Sequence, residues 1–231
     1  MNGPTVSYVI PVFNGEAYLA QTVESLLAQT YALSQIIVVD DGSTDSTAEV
    51  AGRFGDRVTY VRQTNAGQSA ARNHGVRLAR GEFVGFLDAD DLIQPIKVQG
   101  QIEQFKIKPE LVLCDGYTRN FWSPEITDEK RDNDPKLLDP WAGHISSWLF
   151  RRGLFESTGG FVETMQFSED TEWYLRVRDS GGGIHTAKEV LAYRRLHANN
   201  ITRRRHDEHI DGIVRLYKKR VDQQKKMKAQ K

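Results

Sequence analysis

Short runs of apolar, often β-branched residues alternate with segments of helical periodicity through the first half of the chain. The runs VSYVIPV, QIIVVDD and EFVGFLD predict buried strands, and the segment after the first run repeats apolar residues at Leu19, Val23 and Leu26. Strict alternation of strands and helices is typical of a parallel sheet covered on both faces. In such sheets, ligands bind beyond the carboxyl ends of the strands. The sequence therefore predicts an α/β fold with a mainly parallel central sheet flanked by helices.

The second half of the chain is less regular. Residues 117–140 are polar, mixed in charge and interrupted by proline, so a long surface loop is expected there. Further on, EDTEWYLRVRDSG predicts a helix that begins with acidic residues, and EVLAYRRLH predicts a last strand. The pieces are expected to form one domain over 1–205, followed by a basic helix or tail over 206–231.

Composition narrows the class of protein. The 231 residues carry 31 Lys+Arg and 31 Asp+Glu, so no net field favours a nucleic-acid partner. The one cysteine, Cys114, excludes an internal disulfide framework and fits a reducing compartment. No basic segment precedes an apolar run at the N-terminus, and no apolar stretch approaches the roughly 20 residues of a membrane-spanning helix. A cytoplasmic globular protein is expected.

Carboxylates crowd the ends of two predicted strands. Asp40 and Asp41 end one strand and precede a Gly-Ser turn, and Asp88, Asp90 and Asp91 follow the run VGFL. Like charges at this spacing repel one another unless a cation joins them, and Asp88-x-Asp90 suits Mg²⁺ or Mn²⁺. A purely structural role stays open for Asp40 and Asp41, because Asp-Gly is also an ordinary turn. Asp91 is expected to cap the following helix rather than to bind the cation.

Two helix beginnings carry further candidates. In NAGQSAARNHG, Gly67 permits close backbone approach and Arg72 follows near a helix N-terminus that favours anions. In SEDTEWYLRV, Asp170 could serve as a base, or Ser168 could cap the helix while the acids favour its dipole.

Taken in order, these segments resemble the family 2 glycosyltransferases of the GT-A fold. The resemblance is carried by PVFNGE, VVDDGSTDST, NAGQSAARNHG, GEFVGFLDADD, SEDTEWYLRV and the histidine in YRRLHANNIT, over roughly residues 5–200. It implies a GT-A type nucleotide-diphospho-sugar transferase fold, with a nucleotide-binding half of about 1–116 and an acceptor half of about 117–205. It also implies an inverting transfer from a nucleotide sugar to an acceptor hydroxyl.

The resemblance also implies roles for matching residues. Those expected to bind the nucleotide sugar are Pro11, Val12, Asn14, Glu16, Asp41, Arg72, Asp88 and Ala89. Asp90 is expected to be the principal ligand of Mn²⁺ or Mg²⁺, with Asp88 and His197 beside it. Asp170 falls at the family's catalytic base, Glu169 is expected to shape the acceptor site, and Trp173 is expected to contact the acceptor.

The expected partners are a donor and a hydroxyl acceptor. The donor is expected to be a UDP-hexose or UDP-N-acetylhexosamine, and the acceptor a glycan, a lipid-linked molecule or another hydroxyl compound. The basic tail is expected to be a solvated end, with peripheral contact to anionic lipid at the inner face of a membrane as the alternative. Two other functions stay open: an aspartate-dependent phosphohydrolase, and a nucleotide-sugar-binding module without catalysis.

Overall fold

A computed structural model gives the fold of the chain. It describes residues 3–127, 129, 131, 135–165, 167–200, 212, 214 and 216–218. Most of the basic tail predicted at 206–231 therefore lies outside the described residues. Among the residues that are described, no helix has the length and apolar character needed to cross a membrane.

Within the described residues the strands form one nine-stranded mixed sheet. Its strands are β1 (Val6–Val12), β2 (Gln35–Asp40), β3 (Thr59–Arg62), β4 (Phe83–Phe86), β5 (Leu92–Ile93), β6 (Leu111–Trp122), β7 (Trp141–Ala142), β8 (Leu149–Arg151) and β9 (Gly183–Leu196). They are ordered β3-β2-β1-β4-β8-β6-β9-β5, with β7 paired to β6. Strands β1 to β4 pair in parallel, whereas β8 pairs antiparallel with both of its neighbours. The predicted α/β sheet is confirmed, and every antiparallel pair of the described sheet includes β7, β8 or β9.

Helices cover both faces of this sheet. Those described up to residue 200 are α1 (Leu19–Leu27), α2 (Thr47–Gly52), α3 (Gln68–Leu78), α4 (Lys97–Ile107), α5 (Arg152–Thr158) and α6 (Glu169–Asp179). The predicted apolar stripe of α1 is buried, and β1 is buried along its whole length. Helix α3 packs closely on β1 because residue 75 is glycine: a Cβ there would lie 2.2 Å from Val9 Cγ1. Such packing holds the beginning of α3 at the carboxyl edge of the sheet.

The predicted loop at 117–140 is wrong in its first part. Strand β6 continues through Trp122 and pairs with β9 over most of its length. Thr118 and Asn120 are buried while Arg119 between them is exposed, which is the alternation of a strand with one covered face. The polar character of this segment concealed the alternation, because its buried positions are Thr and Asn.

Candidate active site

Strands β1, β2 and β4 end side by side, and the loops that follow them carry most of the predicted nucleotide-binding residues. Val12 pairs with Asp40 in the parallel register, and the Asp41 N–H donates to the Val12 carbonyl at 2.8 Å. Pro11 and Val12 are buried within β1. Asp40 is also buried and accepts from the Ser43 N–H at 2.7 Å and from the Tyr60 hydroxyl, so it fixes the turn after β2.

The loop after β1 is tied to the loop after β2. Asn14 has a positive φ of 53°, and its Oδ1 accepts from the Thr44 N–H at 2.8 Å while its own N–H donates to Ser43 Oγ at 2.9 Å. Glu16 Oε2 accepts from the Ser46 N–H at 3.0 Å. These bonds give Asn14 and Glu16 a structural role whatever they bind, and both residues remain exposed at the rim.

Asp41 holds the loop that begins α3. One carboxylate oxygen accepts from the Ala66 N–H at 2.9 Å and from Gln63 Nε2 at 2.8 Å, and the other accepts from the Gly67 N–H at 2.8 Å. The side chain is almost fully buried. The expected contact between Asp41 and a nucleobase stays a prediction, and the bonds show that this carboxylate also organises the loop before Arg72.

Arg72 joins two carboxylates from distant parts of the chain. Its Nη2 donates to Asp88 Oδ1 and its Nη1 to Glu169 Oε1, each at 2.7 Å, and the guanidinium is 2% exposed. Burial raises the pKa of Asp88, but Arg72, by its charge and hydrogen bond, together with the charges of His144 and Arg194, outweighs burial and holds that pKa below its ordinary value. For Glu169 burial dominates, and its pKa is raised despite Arg72. The bridge brings the loop after β4 next to the beginning of α6.

Asp170 lies beside this bridge, one residue after Glu169. Burial lowers the pKa of Arg72, but the neighbouring carboxylates raise it above its ordinary value. Asp88 and Glu169 have the larger effects, and the charge of Asp170 adds a smaller one. Its Oδ1 accepts from the Thr171 N–H at 2.6 Å, whereas no hydrogen bond among the described residues engages its Oδ2. Ser168 stands at the N-cap of α6 with φ at 63°, but its hydroxyl caps no N–H of the helix. The alternative of a serine cap therefore holds for the position of Ser168 but not for its hydroxyl, and the backbone turns sharply just before the two acids.

The loop after β4 also forms a set of possible metal ligands. Within the described part of the chain, Asp88, Asp91 and His144 offer ligand atoms that all lie within 4.8 Å of one another. Burial, and then the neighbouring Asp90 and Asp88 charges, raise the pKa of Asp91 well above its ordinary value. Burial lowers the pKa of His144, whose Nδ1 is buried with no hydrogen-bond partner among the described residues. Crowded carboxylates beside an imidazole nitrogen that makes no hydrogen bond within that part of the chain and lies 3.8 Å from Asp91 Oδ2 fit a divalent cation.

Asp91 was expected to cap the next helix, and that expectation is wrong. Helix α4 begins only at Lys97. The Asp91 carboxylate instead accepts from Ser146 Oγ at 2.8 Å and from the Arg195 N–H at 3.1 Å. It faces inward because β5 begins immediately after it and turns the chain toward β9.

Asp90 and His197, both predicted metal ligands, lie next to each other, and their role toward a metal stays a prediction. His197 Nε2 lies 2.9 Å from Asp90 Oδ2, and Asn200 Nδ2 donates to the same oxygen at 3.3 Å. His197 Nδ1 accepts from the Asn199 N–H at 3.2 Å, which leaves the proton on Nε2 to donate to Asp90. Asp90 and His197 lie outside the set formed by Asp88, Asp91 and His144.

Trp173 lies in the core, where its ring has no surface open to an acceptor. Its side chain is fully buried in α6 and packs against Trp148, Phe150, Phe155 and Phe161 at ring distances of 5.0–5.7 Å. Its Nε1 donates to the carbonyl of residue 159 at 3.0 Å. The prediction of direct acceptor contact is wrong because the aromatic position on α6 faces the core. Trp173 anchors the helix that carries the two acids.

Several site residues escaped sequence reasoning. His144 precedes a short 3-10 helix at Ile145–Ser147 and belongs to no motif that was recognised. Arg195 and Asn200 flank His197, so their nearness in sequence to a candidate ligand was the available signal. Ala89, predicted to face the nucleotide sugar, is half-buried, and its carbonyl lies 2.9 Å from Thr22 Oγ1.

Comparison with known protein families gives one match that covers most of the chain. The family model described as Glycosyl transferase family 2 matches residues 7–162. An uncharacterized glycosyltransferase of Rickettsia typhi is 33% identical over 208 residues, which are 84% of this chain and 64% of that relative. The uncharacterized glycosyltransferase EpsJ of Bacillus subtilis is 28% identical over 86% of this chain and 63% of its own length. The chain thus spans somewhat less than two thirds of the length of these relatives.

Solved structures share the fold. S. aureus TarS in complex with UDP-GlcNAc superposes with a TM-score of 0.69 at 20% identity, over 85% of this chain and 60% of that one. The mannosyltransferase PcManGT from Pyrobaculum calidifontis, in complex with GDP-Man and Mn²⁺, gives 0.74 at 20% identity, over 96% of this chain and 65% of that one. At this identity the likeness extends to the fold alone.

Proposed function

The chain belongs to glycosyl transferase family 2, and from that membership we propose that it transfers a sugar from a nucleotide-diphosphate donor to an acceptor hydroxyl with inversion at the anomeric carbon. The proposed donor is a UDP-hexose or UDP-N-acetylhexosamine, and TarS, which shares the fold, was solved with UDP-GlcNAc. PcManGT carries GDP-Man, so a guanosine donor is the alternative within the same activity.

One observation carries the proposal: Arg72 bridges Asp88 and Glu169, with both bonds at 2.7 Å. Asp88 belongs to the loop proposed to hold the diphosphate, and Glu169 immediately precedes the proposed base, Asp170. A buried arginine that touches both loops favours a single cleft with carboxylates on two sides. A donor sugar between them would have the leaving group on one side and the attacking hydroxyl on the other, which is the arrangement of an in-line displacement.

In this proposal Asp170 accepts the proton of the acceptor hydroxyl. An alcohol is a weak nucleophile until a carboxylate takes its proton during the attack. Asp170 Oδ1 is occupied by the Thr171 N–H at 2.6 Å, which would orient the carboxylate and leave Oδ2 to receive that proton. Glu169 is buried and paired with Arg72, so its proposed role is to shape the acceptor side.

Asp88, Asp90, Asp91 and His144 are the residues proposed to hold the divalent cation, which we propose to be Mn²⁺ or Mg²⁺, and His197 is proposed to act on the ion through Asp90. When bound, the cation would offset the negative charge that develops on the departing diphosphate. The donor set of hard carboxylate oxygens with imidazole nitrogen supports this class of ion. The hydrogen bond from His197 to Asp90 would fix the orientation of that carboxylate.

The remaining features of the proposal concern organisation and location. Residues of about 1–116 are proposed to bind the donor and those of about 117–205 the acceptor, which is a glycan, a lipid-linked molecule or another hydroxyl compound. The basic residues of 206–231 are proposed to contact anionic lipid at the inner face of a membrane, with the enzyme in the cytoplasm.

Asp170→Asn separates binding from catalysis. The amide keeps the shape of the side chain but cannot accept the proton, so UDP and Mn²⁺ should raise the thermal midpoint of the variant as they do for wild type, while sugar transfer or donor hydrolysis falls by about two orders of magnitude or more. Donors are screened one at a time, and Asp179→Asn at the exposed end of α6 is the matched control.

The outcomes also distinguish the alternatives. Wild-type turnover in Asp170→Asn would remove it as the base. A wild type that binds UDP and Mn²⁺ but shows no turnover with any donor would favour the non-catalytic binding module. Family membership already favours transfer over an aspartate-dependent phosphohydrolase.

A further inference from the structure

Arg195 contacts the loop that carries Asp88, Asp90 and Asp91, the acidic loop, and makes two hydrogen bonds to it. The residue is on β9 and is 3% exposed. Its Nε donates to the carbonyl oxygen of Asp90 at 2.9 Å, and its backbone N–H donates to Asp91 Oδ1 at 3.1 Å. Neither bond uses the carboxylate of Asp88 or Asp90, so the arginine leaves those two side chains free for other partners.

The guanidinium of Arg195 is itself held in one orientation. Its central carbon lies 4.7 Å from the ring centroid of Tyr18 and 4.7 Å from that of Phe121. Its Nη2 donates to Gln21 Oε1 at 2.6 Å. Aromatic contacts favour a planar cation, and the hydrogen bonds at Nε and Nη2 select its rotation between the rings. The Arg195 donor to Asp90 is therefore fixed before anything binds.

The acidic loop is held through its backbone from this side and presents carboxylates to the other. Thr22 Oγ1 lies 2.9 Å from the carbonyl oxygens of both Ala89 and Asp91, next to the Asp90 carbonyl held by Arg195. By contrast, the side chains of Asp88 and Asp90 keep 22% and 30% exposure. Hydrogen bonds from helix α1 and strand β9 hold the backbone carbonyls of residues 89–91, and the fixed backbone determines where the Asp88 and Asp90 carboxylates point.

We propose that Arg195 is a positioning residue for the divalent cation that accompanies the nucleotide diphosphate, its side chain acting through the Asp90 carbonyl. The inference rests on the proposed function. Three neighbouring aspartates repel one another, so without anchored carbonyls the loop can relax away from the arrangement that binds a cation. Residues that orient metal ligands contribute about 10- to 100-fold to metal affinity. Removing the Arg195 side-chain bonds is expected to weaken Mn²⁺ binding by about tenfold.

The experiment measures Mn²⁺ affinity in the presence of UDP, from the electron paramagnetic resonance signal of free Mn²⁺. Arg195→Met keeps the unbranched side chain between the two rings but lacks the donors. Arg195→Lys keeps the charge, and its single ammonium cannot reproduce the two directed bonds, so an intermediate affinity is expected. Arg119→Met is the matched control, because Arg119 is exposed on β6, the strand paired with β9.

Gln21→Leu covers the case in which Arg195→Met does not fold. Gln21 is exposed, and its replacement leaves Arg195 present without the acceptor that orients Nη2. A smaller loss of Mn²⁺ affinity in the same direction is expected, with the thermal midpoint of the metal-free protein near that of wild type. A folded Arg195→Met protein with wild-type Mn²⁺ affinity overturns the inference alone, as does wild-type affinity in both Arg195→Lys and Gln21→Leu. If wild type itself fails to bind Mn²⁺ and UDP, the proposed function falls and the inference with it.

Discussion

Replacing Arg72 by methionine tests the bridge that joins the two halves of the site. Methionine matches the length of the aliphatic part of arginine but removes both charged hydrogen bonds. The Asp88 and Glu169 carboxylates, each 2.7 Å from the guanidinium, would then share a pocket with no cation between them. The neighbouring Asp170 would add a third negative charge.

The expected loss of stability follows from the exposure of the two partners. Removing one member of a buried ion pair costs about 3–5 kcal/mol, since the remaining charge stays buried and unpaired. Here the Glu169 side chain is 10% exposed, whereas that of Asp88 is 22% exposed and can be rehydrated in part. A loss near the lower limit, about 3 kcal/mol at pH 7.5, is therefore expected.

The loss should shrink on acidification. Without Arg72 the pKa values of Asp88 and Glu169 rise, so the folded variant binds more protons than the folded wild type between about pH 7 and pH 5. Its stability relative to wild type therefore increases as the pH falls. Arg72→Met/Glu169→Gln should recover part of the loss at pH 7.5, because the glutamine is neutral.

Urea unfolding in EDTA, followed by tryptophan fluorescence and circular dichroism at pH 7.5 and pH 5, measures these differences. Arg77→Met is the matched control, because Arg77 is exposed on the same helix. A loss below about 1 kcal/mol that does not change with pH would refute the view that Arg72 neutralises the two acids.

Two further substitutions test other parts of the structure. Burial lowers the pKa of Lys97 to about 7, whereas the lysine of the unfolded chain stays protonated up to about pH 10.5. Between pH 7.5 and pH 8.5, wild type should therefore gain stability over Lys97→Met by roughly 1 kcal/mol per pH unit. Urea unfolding at both pH values measures this difference, and a difference that stays constant contradicts it. Asp41→Asn turns one acceptor oxygen into a donor that faces backbone N–H groups. Amide hydrogen exchange at Ala66 and Gly67 should therefore become about tenfold faster, which corresponds to roughly 1.4 kcal/mol of local stability. Unchanged exchange rates would mean that Asp41 does not hold this loop.

Much of the fold could be predicted because its signals are local. The apolar runs of β1, β2 and β4 and the stripe of α1 appear directly in the sequence, and each is buried as expected. The continuation of β6 through Trp122 could not be predicted in the same way. Its partner β9 begins at Gly183, about 70 residues after β6 starts, and supplies the bonds that a polar strand requires.

The candidate site also combines residues with local sequence signals and residues brought together only by long-range contacts. Asp88, Asp90 and Asp170 stand in recognisable motifs, so their residue types and spacing indicated chemistry. The Arg72–Glu169 pair joins positions 97 residues apart, and the Asp91–Arg195 bond spans 104 residues, so neither leaves a local pattern. Trp173 failed as a prediction for a related reason: the direction of a side chain on a helix depends on what packs against that helix.

The most direct test of the proposed chemistry is a crystal structure with Mn²⁺ and a non-hydrolysable UDP-sugar, with data collected at the manganese absorption edge. The account predicts one anomalous peak bound by carboxylates of the Asp88–Asp91 loop and touching the diphosphate, with the Asp170 carboxylate across the sugar from the leaving group. A peak remote from that loop, or a sugar whose anomeric carbon faces away from Asp170, would contradict it.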